Sequence, residues 1–162
     1  MNPIVQLDNF ILKGYQRFSE WSQVSWGKNC YWWAHMSCQL SGLLCIVFIG
    51  LLFTNYGPLL EGHSGEWIHV GALLTISLFE LAKSSRFKKW SQQDKPQHIR
   101  VLPMVGLVYL VMFLVSVHLL EWNALLPFSW MCIEYFGRCV PLPPSAADER
   151  RRRVSGKLQT AQ

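Results

Sequence analysis

Charge is what this sequence has least of. Only 15% of its 162 residues are Asp, Glu, Lys or Arg, against about 25% in a typical soluble domain. The deficit is concentrated in two places. No charged residue occurs from Asn29 to Leu60, and none from Val101 to Leu120. The chain also lacks a nucleotide-binding glycine loop, a serine nucleophile elbow and a Cys-x-x-Cys pair. These absences point away from a soluble enzyme. The first residues are not expected to form a cleavable leader. Lys13, Arg17 and Glu20 interrupt any apolar core near the start, and no small-residue cleavage site follows. The residues before Cys38 and Cys45 do not fit a lipoprotein signal either, so the first apolar run is expected to remain in the mature chain.

What is present is apolar and aromatic. Hydrophobic residues make up 51% of the chain and aromatics 14%. About 20 residues of helix cross the hydrocarbon core of a bilayer, and in lipid a helix satisfies its own N–H and C=O groups. Residues 30–122 are accordingly expected to form a transmembrane domain with spans at about 34–55, 67–82 and 101–122. Tyr31, Trp32, Trp33 and Tyr56 frame the first span as interfacial aromatics do. Inside it Ser37, Ser41 and Cys45 recur every four residues beside Cys38 and Gly42, a small-residue stripe that lets another helix approach. The second span is short and carries Glu80, which can snorkel or pair with Lys83.

Residues 1–29 are patterned differently. Ile4, Leu7, Ile11, Tyr15, Phe18 and Trp21 recur at three or four residues, with Asp8, Asn9, Lys13, Gln16, Arg17 and Glu20 between them. That spacing predicts an amphipathic helix, either lying in the headgroup plane or packed on a partner protein. Residues 123–140 are expected to form a short interfacial or re-entrant helix, since they are uncharged only over a stretch too short for an easy fourth span. Residues 141–162 read as a Pro-rich and then basic flexible tail. The fold class expected is therefore an all-α integral membrane protein. It has three transmembrane helices, an amphipathic N-terminal helix and a short C-terminal interfacial or re-entrant helix.

Orientation follows from the loops. Residues 83–100 carry Lys83, Arg86, Lys88, Lys89, Lys95 and Arg100 against Asp94, whereas residues 56–66 carry only Glu61 and Glu66. The positive-inside rule places the 83–100 loop and the N-terminus in the cytoplasm, most simply of a bacterial inner membrane. With three spans the tail emerges outside, where Arg150 to Arg153 sit poorly; a fourth crossing at Trp122 to Phe136 would return them inside. The net charge of +5 and pI near 9.1 suggest lipid headgroups rather than nucleic acid, because the basic residues flank apolar runs or form a terminal run.

Two sets of residues carry candidate chemistry. Glu66 and His69 begin the second span, and His118 and Glu121 end the third, each pair spaced to share a helix face. Antiparallel helices put both pairs at similar depth. They are candidate metal ligands in the manner of carboxylate-bridged bundles, or His69 and His118 are candidate axial ligands of a haem, with Glu61 and His63 as possible additions. The plainer reading is polar residues at span ends, where they cost least. His35 and His98 read as structural. Among the cysteines, Cys30, Cys38 and Cys45 read as small apolar fillers. Cys132 and Cys139 either pair in an oxidising compartment or remain free thiols. The expected function is a small non-catalytic subunit or scaffold of a larger membrane assembly, with lipids and other membrane subunits, or copies of itself, as partners. The alternatives are a metal- or haem-binding redox subunit and a homo-oligomeric channel or exclusion protein.

Overall fold

The structure, a computed structural model, describes residues 3–56, 64–92, 105–118, 124–143 and 145–149; for 52–56, 64–70, 72 and 73 it describes the backbone alone. Among the described residues, five helices of fourteen residues or more follow one another: α1 (Pro3–Trp26), α2 (Cys30–Tyr56), α3 (Ser64–Ser91), α4 (Val105–His118) and α5 (Leu125–Arg138). No strand occurs among the described residues.

The α1–α2 corner is built from local chemistry. Gly27 takes a positive φ of 68°, which a side chain disfavours. Its N–H bonds the Gln23 carbonyl at 3.2 Å and closes α1. Asn29 then starts α2, its Oδ1 accepting from the Trp32 N–H at 3.1 Å. The Asn29 Nδ2 donates to the Ser91 carbonyl at 2.9 Å, so one side chain caps α2 and ties down the end of α3.

α2 through α5 run alternately up and down. His35 and Gln39 of α2 reach Ser84 of α3, and an added Cβ on Gly42 would meet Leu81. In α5, Trp130 meets Ser41, while Cys139 at its end meets Cys30 at the start of α2. In α4, Tyr109 lies tilted against Trp130, and Phe113 lies against Phe128. The small-residue stripe of α2 is its packing face: Cys38, Ser41 and Cys45 are all buried.

Three features differ from the sequence expectations. α3 continues to Ser91, past the expected end at residue 82, because Phe87 and Trp90 keep one face on Tyr31 while Lys88 and Lys89 suit the carbonyl end of the helix dipole. α5 packs inside the bundle. A helix lying on a surface exposes one face, but α5 is buried from Leu126 to Gly137 except at Phe128. Its last turn also returns the chain to the α1 end of the bundle rather than leaving it at the far end.

That return is held by α1. In the segment Val140-Pro141-Leu142-Pro143 only Val140 and Leu142 have an N–H. Gln16 accepts from the Val140 N–H at 2.9 Å and donates to its carbonyl at 2.8 Å. Gln23 does the same at Leu142, at 2.8 Å both ways. The tail expected from residue 141 therefore begins as a docked, fully bonded segment as far as Pro143. Of the first span, Cys30–Leu51 is long and apolar enough to cross a membrane, and α4 is a shorter apolar helix.

Close packing at α4 gives a direct test. A Cβ on Gly106 would lie 2.8 Å from Cε2 and 2.9 Å from Cζ of Tyr135. That ring is stacked on Tyr15 and bonded to Asp8, so it has little freedom to move. Gly106→Ala is expected to lower stability by about 1–3 kcal/mol. Gly42→Ala, which meets only the flexible end of Leu81, should cost less. Thermal unfolding of both variants in mild detergent checks the order.

Candidate functional site

Ser77, Glu80 and Ser84 recur at three and four residues along α3 and are all buried, so they share the face turned into the bundle. Glu80 lies eleven residues before the end of α3 at Ser91, roughly 16 Å along the helix at 1.5 Å per residue. A carboxylate at that depth needs a partner. The Lys83 Nζ supplies one, donating to Glu80 Oε1 at 3.1 Å and, across the bundle, to Glu134 Oε1 of α5, also at 3.1 Å. The ammonium also lies 4.7 Å from the centre of the Phe79 ring, a favourable cation–π position.

Burial is graded across this cluster. Side-chain exposure is 2% at Glu80, 7% at Glu134 and 27% at Lys83. The Cys38 thiol of α2 and the Tyr109 phenol of α4 lie within electrostatic reach of all three charges. Every helix from α2 to α5 thus contributes to its surroundings. Glu80 Oε2 and Ser77 Oγ are buried and lack hydrogen-bond partners among the described residues.

No protein-family model, curated protein or solved structure matches this chain. The site must therefore be read from its own chemistry. Two carboxylates on one ammonium leave a formal charge of −1, which a buried environment tolerates poorly.

A second ionic cluster fixes α1. Asp8 accepts a forked pair from Arg138, Nη1 to Oδ1 at 3.0 Å and Nη2 to Oδ2 at 2.7 Å, and a bond from the Tyr135 hydroxyl at 3.0 Å. These bonds hold the Asp8 carboxyl below its ordinary pKa, chiefly through Arg138 and against the opposing effect of burial. Two cavities flank the bundle. One of about 490 Å³ is walled by Tyr15, Phe18, Trp33, Phe128 and Phe136. Another of about 370 Å³ lies among Lys28, Asn29, His35 and Lys88.

The residues singled out in the sequence fare differently. The Glu80–Lys83 pair forms as expected. His118 is exposed on the last turn of α4. Glu121 and the side chains of Glu66 and His69, like Glu61, His63 and His98, lie outside the described residues. Among the described residues no group of three or more His, Cys, Asp and Glu side chains is arranged to hold a metal. His35 bonds Ser84, a structural role.

Of the two readings of Cys132 and Cys139, the structure has free thiols and not the disulfide: all five cysteines are free and buried. Seven residues of helix separate these two by roughly 10 Å, beyond the reach of an S–S bond. The Cys132 Sγ and the Tyr15 hydroxyl lie 3.4 Å apart in a hydrogen bond, and the Cys139 thiol donates to the Tyr135 carbonyl. Glu134 was missed by sequence reasoning. It is the lone charged residue between Trp122 and Gly137, and an isolated acid in an apolar helix asks for a basic partner.

Proposed function

We propose that this chain is a multi-pass membrane protein serving as a small non-catalytic subunit or scaffold of a larger membrane assembly. One observation carries the membrane reading: large apolar side chains cover the outside of the bundle, while its apolar core also encloses charged and polar groups. Its interior holds Asp8, Glu80, Glu134, Gln23 and buried serines. Its outer surface is Phe10, Trp21 and Trp26 on α1, Leu43 and Ile46 on α2, Leu78 and Phe79 on α3, and Val111 and Leu114 on α4. In water such a surface is an aggregation hazard; against lipid it is the expected one. α1 turns its buried Asp8, Ser19, Ser22 and Gln23 to the bundle, leaving Phe10 75% exposed. This supports an α1 lying at the membrane surface with its aromatics in the lipid.

In this reading α2, α3 and α4 cross the bilayer and α5 returns within protein, so four passages replace the three expected from hydropathy. The basic run at Arg86, Lys88 and Lys89 then faces the cytoplasm, most simply of a bacterial inner membrane, and the tail follows α5 back to the same side. Arg150 to Arg153 then satisfy the charge rule that a three-span arrangement violates. A subunit role suits a chain that offers apolar faces on four helices.

Accessibility labelling tests the topology. The five native thiols are buried, so single cysteines introduced at exposed Gln92 and Ser145 stand out. Gln92→Cys and Ser145→Cys should both resist an impermeant thiol reagent in intact cells and both react after permeabilisation. Labelling of Ser145→Cys alone in intact cells would overturn the fourth passage, and labelling of Gln92→Cys would overturn the orientation. Resistance to alkaline extraction tests membrane integration itself. Mass measurement of the detergent-purified assembly separates a subunit of a mixed complex from a homo-oligomer. A visible spectrum and metal analysis, with His69→Ala and His118→Ala as controls, test the haem or metal alternative.

A further inference from the structure

We propose that Glu80 and Glu134 share one exchangeable proton, making the Glu80–Lys83–Glu134 cluster a proton-binding site inside the helix bundle. The charge count comes first. One ammonium faces two carboxylates, both at 3.1 Å, and the nearby Cys38 and Tyr109 are neutral in their ordinary protonation states. No second cation is bonded to this cluster among the described residues; the Arg138 guanidinium, one turn from Glu134 on α5 and within electrostatic reach of it, has its own counter-charge in Asp8. A single proton removes the excess charge, and for closely coupled carboxylates that proton belongs to the pair.

The second observation is independent of the count. Glu80 Oε2 has no partner while Oε1 accepts from Lys83. Ser77, one turn earlier on the same buried face, also has an unbonded hydroxyl. Protonation forms an O–H bond at Oε2 and removes the unpaired charge from that buried, unsatisfied acceptor. Lys83 is the most exposed of the three side chains and lies at the rim of the cluster. Intramembrane ionisable groups that face a bundle interior are the usual material of proton relays. The inference rests on the bundle interior and is independent of any partner assembly.

Infrared spectroscopy of the detergent-purified protein reads the proton directly. At neutral pH the wild type should show the carbonyl stretch of one protonated, buried carboxyl group, shifting in heavy water as an exchangeable proton requires. Glu80→Gln and Glu134→Gln should each abolish it, because either change leaves one carboxylate to one ammonium. Lys83→Met should about double it, both carboxylates then taking protons. Protection of the five buried thiols shows whether each variant is folded, and the two near-isosteric Gln variants decide the matter if Lys83→Met is not. Absence of the band in wild type overturns the proposal. So does its persistence in either Gln variant.

Discussion

Asp8→Ala is expected to release α1 from the bundle and to cost about 3–5 kcal/mol, the range for breaking a buried charge pair. The loss is large because Arg138, only 15% exposed in its side chain, is left without its forked acceptor, and Tyr135 loses its hydrogen bond. Asp8→Ala/Arg138→Ala should recover part of the loss, since no unpaired charge then remains. The buried thiols give the readout: temperature-dependent reaction with a thiol dye in mild detergent reports unfolding of the wild type and each variant. A loss below about 0.5 kcal/mol would mean that the pair behaves like an exposed surface bridge.

The same contact sets an acid dependence. The Asp8 carboxyl lies below its ordinary value of 3.8 in the folded protein. A lowered folded pKa contributes stability that is present above the unfolded value and lost as pH falls through the folded one. Stability should therefore be insensitive to this group from neutral pH down to about 4, and decline below that. Asp8→Ala should lack this component of the acid decline.

Trp130→Ala is expected to cost about 3–5 kcal/mol, the usual range for removing a fully packed large aromatic. Trp130 is 1% exposed. Its indole N–H donates to the Ser41 hydroxyl at 2.8 Å and its ring centre lies 5.6 Å from that of Tyr109. It is therefore the joint between α2, α4 and α5. Between membrane helices the loss comes from unfilled packing rather than from expelled water. Trp130→Phe separates the two contributions. It keeps most of the ring packing and removes one interhelical hydrogen bond, worth about 0.6 kcal/mol on average. If the Phe variant were as unstable as the Ala variant, the hydrogen bond rather than the packing would hold the joint. The thiol-reactivity midpoint distinguishes these cases.

Much of the helical plan was legible in residue order. The charge-free runs at Asn29 to Leu60 and Val101 to Leu120 coincide with α2 and with the described part of α4, because long apolar runs leave few alternatives to a helix. The periodic apolar residues from Ile4 to Trp21 mark α1 for a similar reason: side chains three and four apart share a helix face. The Glu80–Lys83 pair was legible too, being spaced i, i+3.

What escaped the sequence depends on contacts far apart in the chain. Glu134 meets Lys83 across 51 residues, Gln23 meets Leu142 across 119, and Arg138 meets Asp8 across 130. Local periodicity carries no record of such pairings. Residue order alone determined that α1 has one polar and one apolar face. Only the tertiary structure decided which residues turn inward: Asp8, Gln16 and Gln23 meet Arg138, Val140 and Leu142, Tyr15 of the apolar set packs on Tyr135, and Asn9, Lys13 and Arg17 of the polar set stay exposed. In the same way, composition determined that α5 is apolar and short, while its central position was decided by the fit of Trp130 against Ser41 and of Tyr135 against Gly106.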